Sequence, residues 1–263
     1  MKMLEVKNLS IAWEGEEVVH DVSFSLNFGA VLVIVGESGS GKSTILKALL
    51  GLPSEERTVT GGKILLDGDD LLMKNADERR ALAGPVLSMI FQDAGASFCP
   101  VRRVGDELFE SVHRHKGWSR EDLLAHARPL LAKLHLDESV LNAYPFELSG
   151  GMSERVGILS ALLMQPRVLL ADEPTSALDS VTQVQVVREL LALCQENGTA
   201  LVLVTHHMGV AYYMADEILV MQKGRVVEQG TSEAIFRAPR SAYTKELIAA
   251  VPRIGAGGGE AVG

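Results

Sequence analysis

Short apolar runs bounded by turn residues recur along this chain, and they set its elements before any chemistry is considered. Ala30 to Val35 reads Ala-Val-Leu-Val-Ile-Val, too short for a helix and rich in β-branched residues. Such a run predicts a strand buried on both faces. Val86 to Phe91, Val168 to Ala171 and Ala200 to Val204 repeat the pattern. Ahead of the first run, Leu4-Glu5-Val6 alternates, and Val18, Val22, Phe24 and Leu26 follow a polar turn at Glu14-Gly15-Glu16. That arrangement predicts antiparallel strands laid beside the buried ones. Lys63 to Leu66 predicts a short strand closed by Asp67-Gly68, and Glu217 to Met221 and Arg225 to Gln229 flank Gln222-Lys223-Gly224 as a hairpin.

Helical spacing alternates with these runs. Thr44 to Leu50 lacks Gly and Pro and carries Leu46, Leu49 and Leu50 on one stripe. Asp77 to Leu82 predicts a short helix with Arg79 and Arg80 exposed. From Asp93 to Leu163 strand signals vanish. Val104 to His113 is one helix there, and Ser119 to Leu134 is a second, with Ser119 as N-cap, Asp122 at N3 and Pro129 expected to kink or split it. Ser180 to Asn197 predicts a long helix stopped by Gly198, and Thr231 to Phe236 and Ser241 to Ala250 predict short closing helices. The expected fold is α/β, with a mostly parallel sheet, an N-terminal antiparallel β segment and an inserted helical subdomain. Residues 1–92 and 164–253 would form the core, 93–163 the insert and 254–263 a disordered Gly-rich tail.

Composition narrows the class. The chain has 263 residues, 47% hydrophobic and 22% charged, enough for a large core. A net charge of −9 gives no basic field to attract nucleic acid. Cys99 and Cys194 are far apart without metal-type spacing and read as reduced thiols. The first residues interleave charge with apolar positions and do not resemble a signal peptide, and no apolar run approaches the ~20 residues a membrane span needs.

Chemistry concentrates where runs end. Between the strand at Ala30 to Val35 and the helix after it lies Gly36-Glu37-Ser38-Gly39-Ser40-Gly41-Lys42-Ser43, followed by Thr44. Glycines let backbone N–H groups converge on an anion, the helix start adds unpaired donors, Lys42 can reach terminal phosphates, and Ser43 offers a hydroxyl to Mg²⁺. Asp172-Glu173 closes another buried strand, so Asp172 suits a metal bound with phosphate and Glu173 the orienting or deprotonating of a water. Gln92 and His206 end two further strands, where ligands of α/β sheets collect. Ser149-Gly150-Gly151 opens a helix and bares N–H groups. Trp13, at the mouth of its turn, has two readings: a ring stacked on a purine, or a half-buried strand residue.

The order of these parts resembles an ABC-type ATPase, the nucleotide-binding subunit of a transporter, over roughly residues 3–250. The resemblance implies a P-loop NTPase core and the following roles. Trp13 stacks on adenine. Gly36, Glu37, Ser38, Gly39, Ser40, Gly41, Lys42, Ser43 and Thr44 hold the phosphates. Gln92 senses Mg²⁺ and the membrane partner, and Asp172 is the metal-side acid. Glu173 is the catalytic base and His206 the switch histidine. Ser149, Gly150 and Gly151 contact the ATP of an opposing subunit, and Asp179 lies in the loop crossing that interface.

Tyr144-Pro145-Phe146-Glu147-Leu148-Ser149-Gly150-Gly151-Met152, Met89 to Asp93, and Ala242-Tyr243-Thr244 are similar to the dipeptide, oligopeptide and nickel importer branch. That branch implies two transmembrane permeases, a second homologous ATPase, an extracytoplasmic substrate-binding protein, and a place on the cytoplasmic face of the inner membrane. Ser153-Glu154 replaces a basic–polar pair after the signature, so a carboxylate is expected to weaken the site that this signature completes. His207 stands where an acid usually follows the switch histidine. The alternative is an accessory ATPase of a soluble enzyme complex, such as one that cleaves phosphonate carbon–phosphorus bonds. A DNA-repair or translation role lacks the second cassette, zinc-type spacing and basic surface it would need.

Overall fold

Residues Val31 to Gly36 are all buried, and their side chains divide between two separate cores. The structure, a computed structural model, describes residues 2–52, 54–175, 178 and 180–250. Two sheets carry the fold. The first is antiparallel, order β2-β1-β4-β5, built from β1 (Lys2–Trp13), β2 (Glu16–Asn27), β4 (Arg57–Leu66) and β5 (Asp69–Asp70). The second has six strands, order β10-β9-β3-β8-β7-β6, from β3 (Val31–Gly36), β6 (Leu87–Ile90), β7 (Val168–Asp172), β8 (Ala200–Val204), β9 (Glu217–Gln222) and β10 (Arg225–Thr231). All its pairs are parallel except the edge pair of β9 with β10.

The two-residue period of a strand explains the two cores. Val31, Val33, Val35, Leu169, Ala171, Leu201 and Leu203 face the helical side of the molecule. Leu32, Ile34, Val168, Leu170, Val202 and Val204 face the antiparallel sheet and α1 (Lys42–Leu49). Both faces are covered, so the strands read as continuous apolar runs. Three hairpins close alike, at Glu14-Gly15, Asp67-Gly68 and Lys223-Gly224, each with two residues at positive φ. This backbone matches the right-handed twist of paired strands.

Between β6 and β7 the chain is helical. After α2 (Ala76–Leu82) come α3 (Val104–Lys116), α4 (Arg120–Lys133) and α5 (Gly150–Leu162), and α6 (Ser180–Asn197), α7 (Met208–Met214), α8 (Ser232–Arg237) and α9 (Ala242–Ala249) follow later. Ser119 caps α4 in a reciprocal box with Asp122, as its sequence implies. Two expectations are corrected. Helix α4 is not split at Pro129 but runs on as one element, because Pro129 and Ala125 lie on its exposed face, where water can meet the carbonyl left unbonded. Arg79 is half-buried rather than exposed, donating to the carbonyls of Lys74 (2.9 Å) and Leu72 (3.0 Å). The short α7 and β5 were not anticipated. The proposed disordered tail lies outside the described residues.

Candidate functional site

The carboxyl ends of β3, β8, β7 and β6, neighbours in one sheet, open on a common cleft of about 440 Å³. The turn out of β3 is built by glycines. At Gly36 a Cβ would fall 2.1 Å from the Met221 carbonyl oxygen, and at Gly41, at φ 93°, it would meet Val19 at 2.8 Å. No other residue fits either position. Gly41 serves as N-cap of α1, whose side-chain cap is absent, so the first N–H groups of α1 remain available to an anion. Lys42 is 5% exposed, and its ammonium donates to the carbonyls of Gly36 (2.9 Å) and Glu37 (2.7 Å). Burial pushes the Lys42 ammonium below its ordinary value, and the carboxylates of Glu173, Asp172 and Glu37 pull it back.

Asp172 is the last residue of β7 and is 3% exposed. Burial raises its carboxyl, and the Ser43 hydroxyl, donating to Asp172 Oδ1 at 2.8 Å, works against that rise. Glu173 turns the chain at φ 46°, an uncommon conformation for a residue with a Cβ. Its N–H donates to the Val204 carbonyl (3.0 Å), which keeps the end of β7 beside that of β8. Its Oε2 then lies 3.2 Å from His206 Nδ1. The His206 ring stands 4.1 Å from that of His207, whose imidazole is pushed down by burial and by His206.

Trp13, Ser38, Gly39, Gly41, Lys42, Ser43, Thr44, Gln92, Glu173 and His206 all line the cleft, and Asp172 joins it through Ser43. Trp13, 36% exposed, stands at its mouth. Val18, which the sequence marked only as a strand residue, lines it too; nothing local distinguishes that valine. Ser149, Gly150 and Gly151 do not line it. They open α5, with Ser149 and Gly150 exposed and the Ser149 hydroxyl accepting from the Met152 N–H at 3.3 Å. Glu154, expected to burden that helix start with charge, is 5% exposed and turned into the fold. Asp179 lies outside the described residues.

Comparison with known proteins identifies relatives of the whole chain. A family model described as ABC transporter matches residues 19–176. The glutathione import ATP-binding protein GsiA of Escherichia coli (strain K12) is 41% identical over 266 residues, covering 97% of this chain. The protein of that name from Salmonella typhi is 42% identical over the same length. The chain spans 43% of the length of each of these relatives. Among solved structures, a dimeric ATP-binding cassette in a post-hydrolysis state, bound to ADP and Pi, superposes with a TM-score of 0.77 at 28% identity over 88% of this chain and 99% of its own. An ATP-binding subunit of an ABC transporter gives 0.75 at 28% identity, over 94% of this chain and 98% of that one.

Proposed function

The chain belongs to the ABC transporter family, and on that premise we propose that it binds and hydrolyses ATP to power an importer of small peptides, nickel or a metal chelate. The observation that carries this reading is the meeting of Lys42, the Ser43–Asp172 pair and the Glu173–His206 pair in one cleft. In the proposed reaction, N–H groups of the glycine turn and the Lys42 ammonium bind the phosphates of ATP and stabilise charge in the transition state. The Trp13 ring stacks on adenine. Glu173 accepts a proton from the attacking water, and His206 holds that carboxylate and the water in line. The products are ADP and phosphate.

Magnesium, which this family implies, suits the donors present. Ser43 hydroxyl, Asp172 carboxylate and Gln92 amide are hard oxygen ligands, and a buried carboxylate such as Asp172 favours a nearby cation. Bound with ATP, the ion would neutralise phosphate charge.

We assign residues 1–92 and 164–253 to the nucleotide core and 93–163 to a helical insert whose α5 start serves a second ATPase. Ser149, Gly150 and Gly151 would meet the ATP held by that partner, with Asp179 in the loop between them. Two permeases would take up the motion, with an extracytoplasmic binding protein delivering cargo at the cytoplasmic membrane. Among the described residues no helix is long and apolar enough to cross a membrane, so spanning would fall to the permeases. Relatives named for glutathione import favour a small-peptide cargo over the accessory-ATPase alternative. Co-purification from native membranes in mild detergent tests the reading. Recovery of two polytopic proteins and an ATPase is expected. Recovery only from the soluble fraction, attached to metabolic enzymes, would overturn it.

A further inference from the structure

The peptide joining Gly36 to Glu37 is held from both sides. Its carbonyl accepts from Lys42 Nζ at 2.9 Å, inside the phosphate loop. Its N–H donates to the Tyr243 hydroxyl at 2.7 Å, outside the loop and 206 residues along the chain. A trans peptide is planar with its C=O and N–H opposed, so it cannot rotate to release one partner without losing the other. We propose that Tyr243 is a positioning residue that sets the Gly36–Glu37 peptide, and through its carbonyl the Lys42 ammonium, in the geometry that receives phosphate. This rests on the reading of the cleft as an ATP site.

The brace is itself anchored. Tyr243 lies in the first turn of α9, whose N-terminal end receives no cap from its own Ser241 side chain. Glu228 of β10 supplies one instead, its two carboxylate oxygens accepting from the N–H groups of Arg240 (2.8 Å) and Ser241 (3.0 Å). Tyr243, Leu247 and Ile248 pack against the helical-side core, and Thr244 is fully buried. Burial raises the Tyr243 phenol; the bond from the Glu37 N–H works against that rise and the Glu37 and Glu246 carboxylates add to it, so the hydroxyl keeps its proton at ordinary pH. Helix α9 thus ties the phosphate loop to the β10 edge of the sheet.

The variant Tyr243→Phe keeps the ring and removes only the acceptor. One hydrogen bond of ordinary strength implies a rise of about 3–10-fold in both the Kd and the KM for MgATP, with kcat changed by less than about twofold. In the nucleotide-free chain the Glu37 amide should exchange with solvent faster by a similar factor. Unchanged Kd together with unchanged Glu37 exchange would overturn the proposal. Should the wild-type chain itself fail to bind ATP, the ATPase reading falls, and Glu37 exchange still decides the brace. If Tyr243→Phe does not fold, Glu228→Ala loosens the same anchor and should move both readouts in the same direction; no movement in either would overturn the proposal equally.

Discussion

On the proposed reading the end of β7 and the start of α5 both serve phosphate, yet they are built in opposite ways. At β7, Asp172 is buried, bonded to Ser43, and pushed up by burial, and Glu173 is bent into the cleft against His206. At α5, Ser149 and Gly150 are exposed and do not line that cleft. The first region is preorganised at a cost in strain and desolvation that the rest of the fold offsets. The second is a helix start in water, capped by its own Ser149 and inexpensive to maintain; on the proposed reading it acts only when another chain is pressed against it. On the proposed reading, one chain holds ATP by itself but needs another chain's helix start to hydrolyse it.

Variants at the buried region should have the largest effects. Glu173→Gln should lower ATP hydrolysis by about 10²–10⁴-fold, the usual worth of a general base, while leaving ATP affinity nearly unchanged. Normal turnover, followed by phosphate release, would remove Glu173 from that role. Lys42→Ala should weaken ATP binding by roughly 10²-fold, since charge-assisted hydrogen bonds to phosphate are lost. Calorimetry showing unchanged affinity would contradict the phosphate-loop assignment. Trp13→Ala should raise the Kd for ATP by about 5–150-fold if its ring stacks on adenine, as base stacking is worth ~1–3 kcal/mol. An unchanged Kd would leave Trp13 a half-buried strand residue.

Asp172→Asn probes the stored desolvation. An acid raised by burial binds its proton more readily folded than unfolded, so it lowers stability as pH rises above the acid range. Asparagine removes that charge and retains an acceptor for Ser43. The nucleotide-free variant should melt a few degrees higher at neutral pH, about 2–4 °C for each kcal/mol, with the gain fading toward pH 4. It should hydrolyse ATP poorly. A lower melting temperature at neutral pH would mean that the Asp172 charge stabilises the fold.

Much of this was legible in the sequence, because buried parallel strands announce themselves as apolar runs, and Gln92, Asp172, Glu173 and His206 sit at or just beyond the ends of such runs. Ala30 to Val35, Val168 to Ala171 and Ala200 to Val204 fixed the strands whose ends carry Lys42, Glu173 and His206. What stayed hidden depends on strand order. The Glu173–His206 contact exists because β7 and β8 are neighbours with Asp172 opposite Val204, a register that no local pattern encodes. The Tyr243–Glu37 bond spans nearly the whole chain and has no signal in the helix that carries it. The burial of Glu154 and the continuity of α4 through Pro129 follow from which helix face meets the core.

The comparison turns on whether the α5 start acts on its own chain or on another. A Cβ at Gly150 would meet nothing within 4 Å, and a carboxylate at a helix N-terminus favours the helix, so Gly150→Asp should fold normally. The most direct measurement is ATP affinity of this variant by calorimetry, paired with its hydrolysis rate in the assembly it co-purifies with. The account predicts affinity within about twofold of the wild type and hydrolysis reduced by roughly 10²-fold, as a negative charge meets the partner's phosphate. Lost affinity in the isolated chain, or undiminished hydrolysis in the assembly, would contradict it.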